Sequence, residues 1–322
     1  MNDKKLYKKL FILIAAVIVL GLINQFIFVD MKYFKYAMHI RTPTLIGIIL
    51  ASFCIGTASM VFQSIINNRI VTPCLLGMNS LYMLIHTLLV FVLTSDSFIV
   101  RNEELTYLID IVIMTLMGKV IYGTLFKKTN YNVTYILLAG TVIASFFSSI
   151  SDTFIRVMDP NEYDALLRDL FASFDYVNTE LIIMSLVLIA LVIIIFRKDI
   201  KLLDVITLGK NQAINLGVDY DRTVSRLLVG VTFFIAIATA LVGPISFLGL
   251  IIANLSREYF PTYKHRFLMI GAVLMGMITL FISQILVEHV FGFGTEISVF
   301  ISIFGGGYFL YLLLKQGNGK WK

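Results

Sequence analysis

The chain has 322 residues, 58% of them hydrophobic and only 14% charged, with a mean hydropathy of +0.89 and a formal net charge of +6. A soluble domain carries charge at about 25% of its positions, so composition excludes a water-soluble globule and places the chain among polytopic membrane proteins. Two cysteines, Cys54 and Cys74, have no CxxC spacing and read as small hydrophobes rather than a disulfide or metal site.

The first apolar run, Leu10 to Val29, follows Lys4, Lys5, Lys8 and Lys9 as in a signal peptide. Its length is that of a span, about 20 residues, and no small-x-small cleavage site follows, so it is expected to remain as the first transmembrane helix. Continuing along the chain, ten spans are predicted: 8–29, 43–66, 74–94, 106–126, 133–157, 180–196, 224–242, 245–258, 267–287 and 297–314, the eighth being short. Lipid offers no partner to backbone N–H and C=O groups, and the runs are too long and continuously apolar for barrel strands, so the fold is expected to be all-α. One transmembrane domain covers 1–322, with a polar loop over 198–222.

Lys and Arg fix the expected orientation. With the amino terminus inside, nineteen lie in inner segments against six outside, and Lys119 falls within a span. The inner set includes Arg69, Lys127, Lys128, six cations of the central loop and a tail of Lys315, Lys320 and Lys322. This positive-inside bias is expected to put both termini on the cytoplasmic side of the membrane, and it accounts for the net charge without nucleic acid. Acidic residues lean outward, most densely at Asp159, Glu162, Asp164, Asp169 and Asp175.

Several motifs are missing. No G-x-x-x-x-G-K-[ST] occurs, so no P-loop binds ATP here. The four histidines lack metal-ligand spacing and read as packing residues, and neither G-x-S-x-G nor H-E-x-x-H is present. Asp110, Asp152 and Glu288 fall near the outer ends of their spans, whereas an ion-driven carrier is expected to hold a carboxylate deeper. No cofactor or metal is expected.

Two helical faces carry polar residues. Ser52, Gly56, Ser59 and Gln63 share one face of the second span, and Ser145, Ser149, Asp152 and Arg156 one face of the fifth. Small residues allow helices to approach closely, the simpler reading for Ser52 and Gly56. Ser59, Gln63, Ser149, Asp152 and Arg156 are the candidates for a wet pathway, and for Asp152 with Arg156 an i,i+4 ion pair closing the helix end competes with it.

The centre of the polar loop is LGKNQAINLGV, Leu208 to Val218, a short charged helix bracketed by Gly209 and Gly217. A glycine at each end lets the backbone turn sharply, which suits a socket on another protein; a helix resting on lipid headgroups is the alternative. RTP from Arg41, FQSIINNRIVTPCLLGMNSLY from Phe62, LGKNQAINLGVDYDR, GPISFLGLIIANLSRE from Gly243, and EHVFGFGT from Glu288 with GGGYFLYLLL from Gly305 complete the motifs. Together they resemble the permease subunits of ABC importers for ferric siderophores, haem and cobalamin, and NNRIVTP looks like the branch that serves catechol-type siderophores.

The resemblance runs from about Arg41 to Leu314. It implies a ten-helix subunit paired with a second permease, often a different but homologous chain, two ATPase subunits beneath, and an extracytoplasmic substrate-binding lipoprotein above. Leu208, Gly209, Gln212, Ala213, Leu216 and Gly217 would then form the coupling helix that enters the ATPase. Arg41 matches the first arginine of an R-x-P-R docking motif for the binding protein, and Glu288 matches a glutamate of the same surface; an ordinary interfacial anchor is the other reading of Arg41. Thr44 stands at the second arginine position and Val287 where an arginine often precedes the glutamate, so docking would use fewer cations, or Lys32, Lys35 or Arg101. Pro73 with Gly77 and Pro244 with Gly249 echo each other, which makes an inverted repeat of spans 2–5 and 7–10 plausible. Haem, cobalamin or another iron chelate is the alternative cargo, and an ion-coupled secondary transporter the alternative class.

Overall fold

A computed structural model describes residues 3–129, 131–174 and 177–317. Asp175, Lys320 and Lys322, counted above in the charge distribution, lie outside the described residues, as do the side chains of Arg168, Asp169 and Lys315. The fourteen described α-helices are α1 (Asp3–Phe26), α2 (Phe34–Ile66), α3 (Met78–Leu93), α4 (Phe98–Arg101), α5 (Glu103–Lys128), α6 (Val133–Val157), α7 (Pro160–Leu170), α8 (Thr179–Lys201), α9 (Leu203–Ile206), α10 (Lys210–Asn215), α11 (Tyr220–Val242), α12 (Leu248–Tyr259), α13 (His265–His289) and α14 (Ile297–Gly317). The fold is all-α.

Eight helices are long and apolar enough to cross a membrane: α1, α2, α5, α6, α8, α11, α13 and α14. The other two predicted spans are shorter. At 16 and 12 residues, α3 and α12 reach about 24 and 18 Å, short of the roughly 30 Å hydrocarbon core. Each is entered through an irregular segment. Pro73 and a left-handed Gly77 precede α3, and Gly243-Pro244 precedes α12. The apolar runs predicted spans of ordinary length because these irregular segments are themselves apolar.

The opposite correction applies to α2, which begins at Phe34 and carries Pro43 inside it. Pro43 removes one helical N–H, yet the preceding turns remain helical. The acidic segment between α6 and α8 also contains a helix that no apolar run marks, α7, which starts at Pro160 behind an Asp159 cap and buries Leu166 and Leu170. Helix starts otherwise follow local chemistry. Asn102, Asn132, Asn178 and Asp219 cap α5, α6, α8 and α11 by accepting a backbone N–H two or three residues on.

Burial separates centre from periphery. Of the apolar stretch of α2, 78% is buried, and 72% of that of α11, against 17% for α1 and α6 and 22% for α14. Small residues bring the central helices together. A Cβ on Gly56 would stand 3.0–3.2 Å from the backbone of Ala272 and Val273, and one on Gly276 would stand 3.2 Å from Ser52 Cβ. Lipid is as apolar as leucine, so close backbone contact of this kind, rather than hydrophobic burial, holds such helices together.

The packing has an internal symmetry. Exchanging α1 with α8, α2 with α11, α3 with α12, α5 with α13 and α6 with α14 turns one set of neighbours into the other. Thus α2 on α13 becomes α11 on α5, α3 on α6 becomes α12 on α14, and α1 on α13 becomes α8 on α5. Equivalent helices run in opposite directions. The first and sixth predicted spans therefore join the inverted repeat expected for spans 2–5 and 7–10.

Candidate functional site

One end of the bundle gathers the cations Lys4, Lys5, Lys8, Arg69, Lys127, Lys128, Arg197, Lys198, Lys201 and Arg222, and from it projects the arm α9–α10. Leu203 and Ile206 of α9 are buried. Helix α10 is a six-residue turn between Gly209 (φ +99°) and Gly217 (φ +82°), and a Cβ at either would meet nothing within 4 Å. Glycine is needed there for backbone conformation.

The arm is pinned to its surroundings. Lys210 Nζ donates to both oxygens of Asp221 at 2.9 Å, Tyr131 OH donates to Asp221 Oδ1 at 2.8 Å, and the ammonium lies 5.6 Å from the Tyr131 ring centre. Burial, and then the Asp221 carboxylate, push the Tyr131 phenol above its ordinary range, which keeps it a proton donor to Asp221. Of the predicted coupling residues, Leu208, Gln212 and Leu216 are exposed, joined by Ile214, which the motif did not single out. Ala213 is fully buried within the chain. It seats the arm and is not part of its outer face.

The two polar faces separate. Along α6, Ser145, Ser149, Asp152 and Arg156 are all exposed on a helix whose apolar length is that of a span. Ser59 and Gln63 are 0% and 1% exposed. Ser59 lies directly against Gly249, and Gln63 Nε2 donates to the Arg69 carbonyl at 2.9 Å. In this arrangement the face holding Ser59 and Gln63 joins α2 to α12 and to the segment after α2.

At the opposite end, Arg41 and Glu288 are paired with each other, at 15% and 17% side-chain exposure. Arg41 Nη1 also donates to the carbonyls of Asn24, Gln25 and Ile27, at 3.3, 3.2 and 2.8 Å, closing the last turn of α1. The pair stands in the wall of a cavity of about 470 Å³ with Asn24, Tyr36, Thr44 and Gln284. Thr44 is buried and donates to the Phe174 carbonyl at 2.7 Å.

Sequence reasoning missed several buried polar contacts, among them one between a histidine and a carboxylate. His86 of α3 lies 3.1 Å from the Asp110 carboxylate of α5, both nearly inaccessible, and stacks on Tyr82 with 5.5 Å between ring centres. A partnered carboxylate at such depth is less costly than a bare one. No sequence spacing reveals it, because the partners belong to different helices.

Comparison with known proteins agrees with this architecture. The chain is 40% identical over 306 residues to the petrobactin import system permease protein YclO of Bacillus subtilis (strain 168), covering 95% of this chain and 96% of that one. It is 32% identical over 323 residues to the petrobactin import system permease protein FatC of Bacillus anthracis, covering 98% and 91%. A solved chain from an inward-facing conformation of a metal-chelate type ABC transporter superposes with a TM-score of 0.76 at 20% identity, covering 96% of this chain and 99% of that chain; this likeness is one of fold. The FecCD transport family matches residues 9–315, and the chain belongs to that family.

Proposed function

We propose that this chain is the membrane permease of an ATP-driven importer of ferric siderophore, of the catechol type. It would work beside a second homologous permease, with two ATPase subunits at the basic end and a substrate-binding lipoprotein at the other. The basic end then faces the cytoplasm together with both termini, as the positive-inside bias requires. The petrobactin permeases among its relatives support an iron-chelate cargo.

The observation that carries this reading is the arm α9–α10. A rigid turn between two glycines presents exposed Leu208, Ile214 and Leu216, an apolar tip with charged neighbours that suits a protein socket. ATP-driven closure of the motor subunits would push the arm, and the packed spans would shift between two discrete arrangements. The exposed polar stripe of α6 would form one wall of the passage and the second permease the other. A weakly polar wall without clustered ligands lets cargo leave as readily as it enters. The lipoprotein would dock around Arg41 and Glu288, whose charges register a partner more than they add affinity.

The test is uptake of radiolabelled ferric catechol siderophore by a strain lacking this chain. Uptake is expected to vanish, to return with the gene, and to require the ATPase partner, while haem and cobalamin uptake stay unchanged. Movement of the chelate by the purified chain in liposomes, driven by protons or sodium without ATP, would overturn the reading.

A further inference from the structure

We infer that His265 is a positioning residue for transport, the joint through which the α9–α10 arm moves the basic ends of α2, α12 and α13. The inference rests on the reading of that arm as the motor interface. Asp204 of α9 accepts the backbone N–H of His265 at 3.0 Å and the ring Nδ1–H from the first turn of α13. The other ring nitrogen, Nε2, lies 2.9 Å from Ser64 Oγ in the last turn of α2. Arg257 of α12 donates to the same Ser64 Oγ at 2.9 Å. One imidazole and one hydroxyl thus join four helices.

Just past this node α2 ends and α12 packs against the segment that follows it. Three residues after Ser64, α2 stops at a left-handed Asn67. Beyond it the Arg69 carbonyl accepts from Gln63 of α2 and from Asn254 Nδ2 of α12, at 2.9 and 2.7 Å. A cavity of about 210 Å³ opens here, bordered by Thr207 of the arm, Asn67, Arg69, Arg257 and His265. Hydrogen bonds weaken steeply with misalignment, whereas apolar contacts slide, so a displaced Asp204 carries the ends of α13 and α2 with it.

Serine, histidine and aspartate here share the connectivity of a hydrolase triad. Ser64, however, is 3% exposed, and its Oγ is also 2.7 Å from the Met60 carbonyl and bonded to Arg257. The hydroxyl is enclosed by partners of its own chain, which suits a joint and not a nucleophile.

The experiment uses the assembled transporter in proteoliposomes and reads chelate transported per ATP hydrolysed. Asp204→Ala should leave the ATPase bound and hydrolysing while transport per ATP falls about tenfold, within the range of ordinary coupling energies. Asp204→Asn, which keeps an oxygen to accept both His265 N–H groups, should restore the ratio. Ser64→Ala should lower the ratio from the other side of the node, and in the double variant the two losses should not add. A role in folding alone would reduce the amount of complex but not this ratio. Unchanged transport per ATP in both Asp204→Ala and Ser64→Ala, or strictly additive losses, would overturn the inference; if Asp204→Ala fails to assemble, Ser64→Ala alone decides. Failure of the motor-interface reading would look different, because the ATPase would still bind a chain whose exposed Leu216 had been replaced by glutamate.

Discussion

A guanidinium presents its donors in a rigid planar fork, which lysine does not reproduce. At Arg41 that fork meets Glu288 on one side and three carbonyls at the end of α1 on the other. Arg41→Ala strands a half-buried carboxylate and uncovers the α1 terminus, a loss of about 1.5–3 kcal/mol. Thermal melts in detergent should show the lowered midpoint for Arg41→Ala and nearly the same fall for Arg41→Lys. Full recovery by lysine would mean that charge alone holds α1, α2 and α13 together at this end. The motifs had already singled out both residues, as two contacts for a partner. What they hid is that the residues, 247 positions apart in sequence, meet each other. Any docking protein must therefore engage a pair that already holds three helices.

Among the elements, the long spans were legible because their apolar runs are continuous, and four of them, α5, α6, α8 and α11, start at an Asn or Asp cap. The short helices α3 and α12 were legible only as hydrophobicity, since Leu76, in a 3-10 turn, and Ile245, in irregular backbone, are buried as fully as any helical leucine. Glycine spacing disclosed the arm, but which way its residues face depended on how α9 is seated. Leu216→Glu, on the exposed side, should abolish ATPase capture in a pull-down while membrane insertion stays normal. Ala213→Glu should fail earlier, in folding of the arm, because Ala213 is enclosed. Equal capture by the Leu216 variant and the unaltered chain would remove the arm from the interface.

The polar faces of α2 and α6 read alike in sequence because both follow helical spacing; burial alone distinguishes them. Cysteines introduced at Ser145, Ser149 and Asp152 should react with a hydrophilic thiol reagent in the assembled transporter. One at Ser59 should resist it, since Ser59 lies against Gly249. Protection of all three α6 positions, at every stage of the ATP cycle, would place the passage elsewhere.

At the scale of the whole molecule, the two halves of the repeat enclose each other at α2 and α11 but leave α6 and α14 as outer walls. Serines, an aspartate and an arginine exposed on a span are costly against lipid, though the charges of Asp152 and Arg156, in the last turns of α6, cost less than they would at its centre. None of the described residues covers that stripe, while α2, at the centre, has its polar atoms enclosed. On the proposed function, a second permease laid against α6 would relieve the cost and leave a polar seam between two chains. The chain is therefore expected to be poorly stable when expressed alone and to be rescued by co-expression with its homologous partner, in a complex whose mass corresponds to two permeases and two ATPases. Native mass spectrometry checks the stoichiometry. Ser149→Leu should strengthen the chain alone yet lower uptake by the complex, because it trades a wet wall for a dry one. A variant that gained stability and kept full uptake would show that the α6 stripe faces lipid headgroups or a closed contact, and that cargo crosses without touching it.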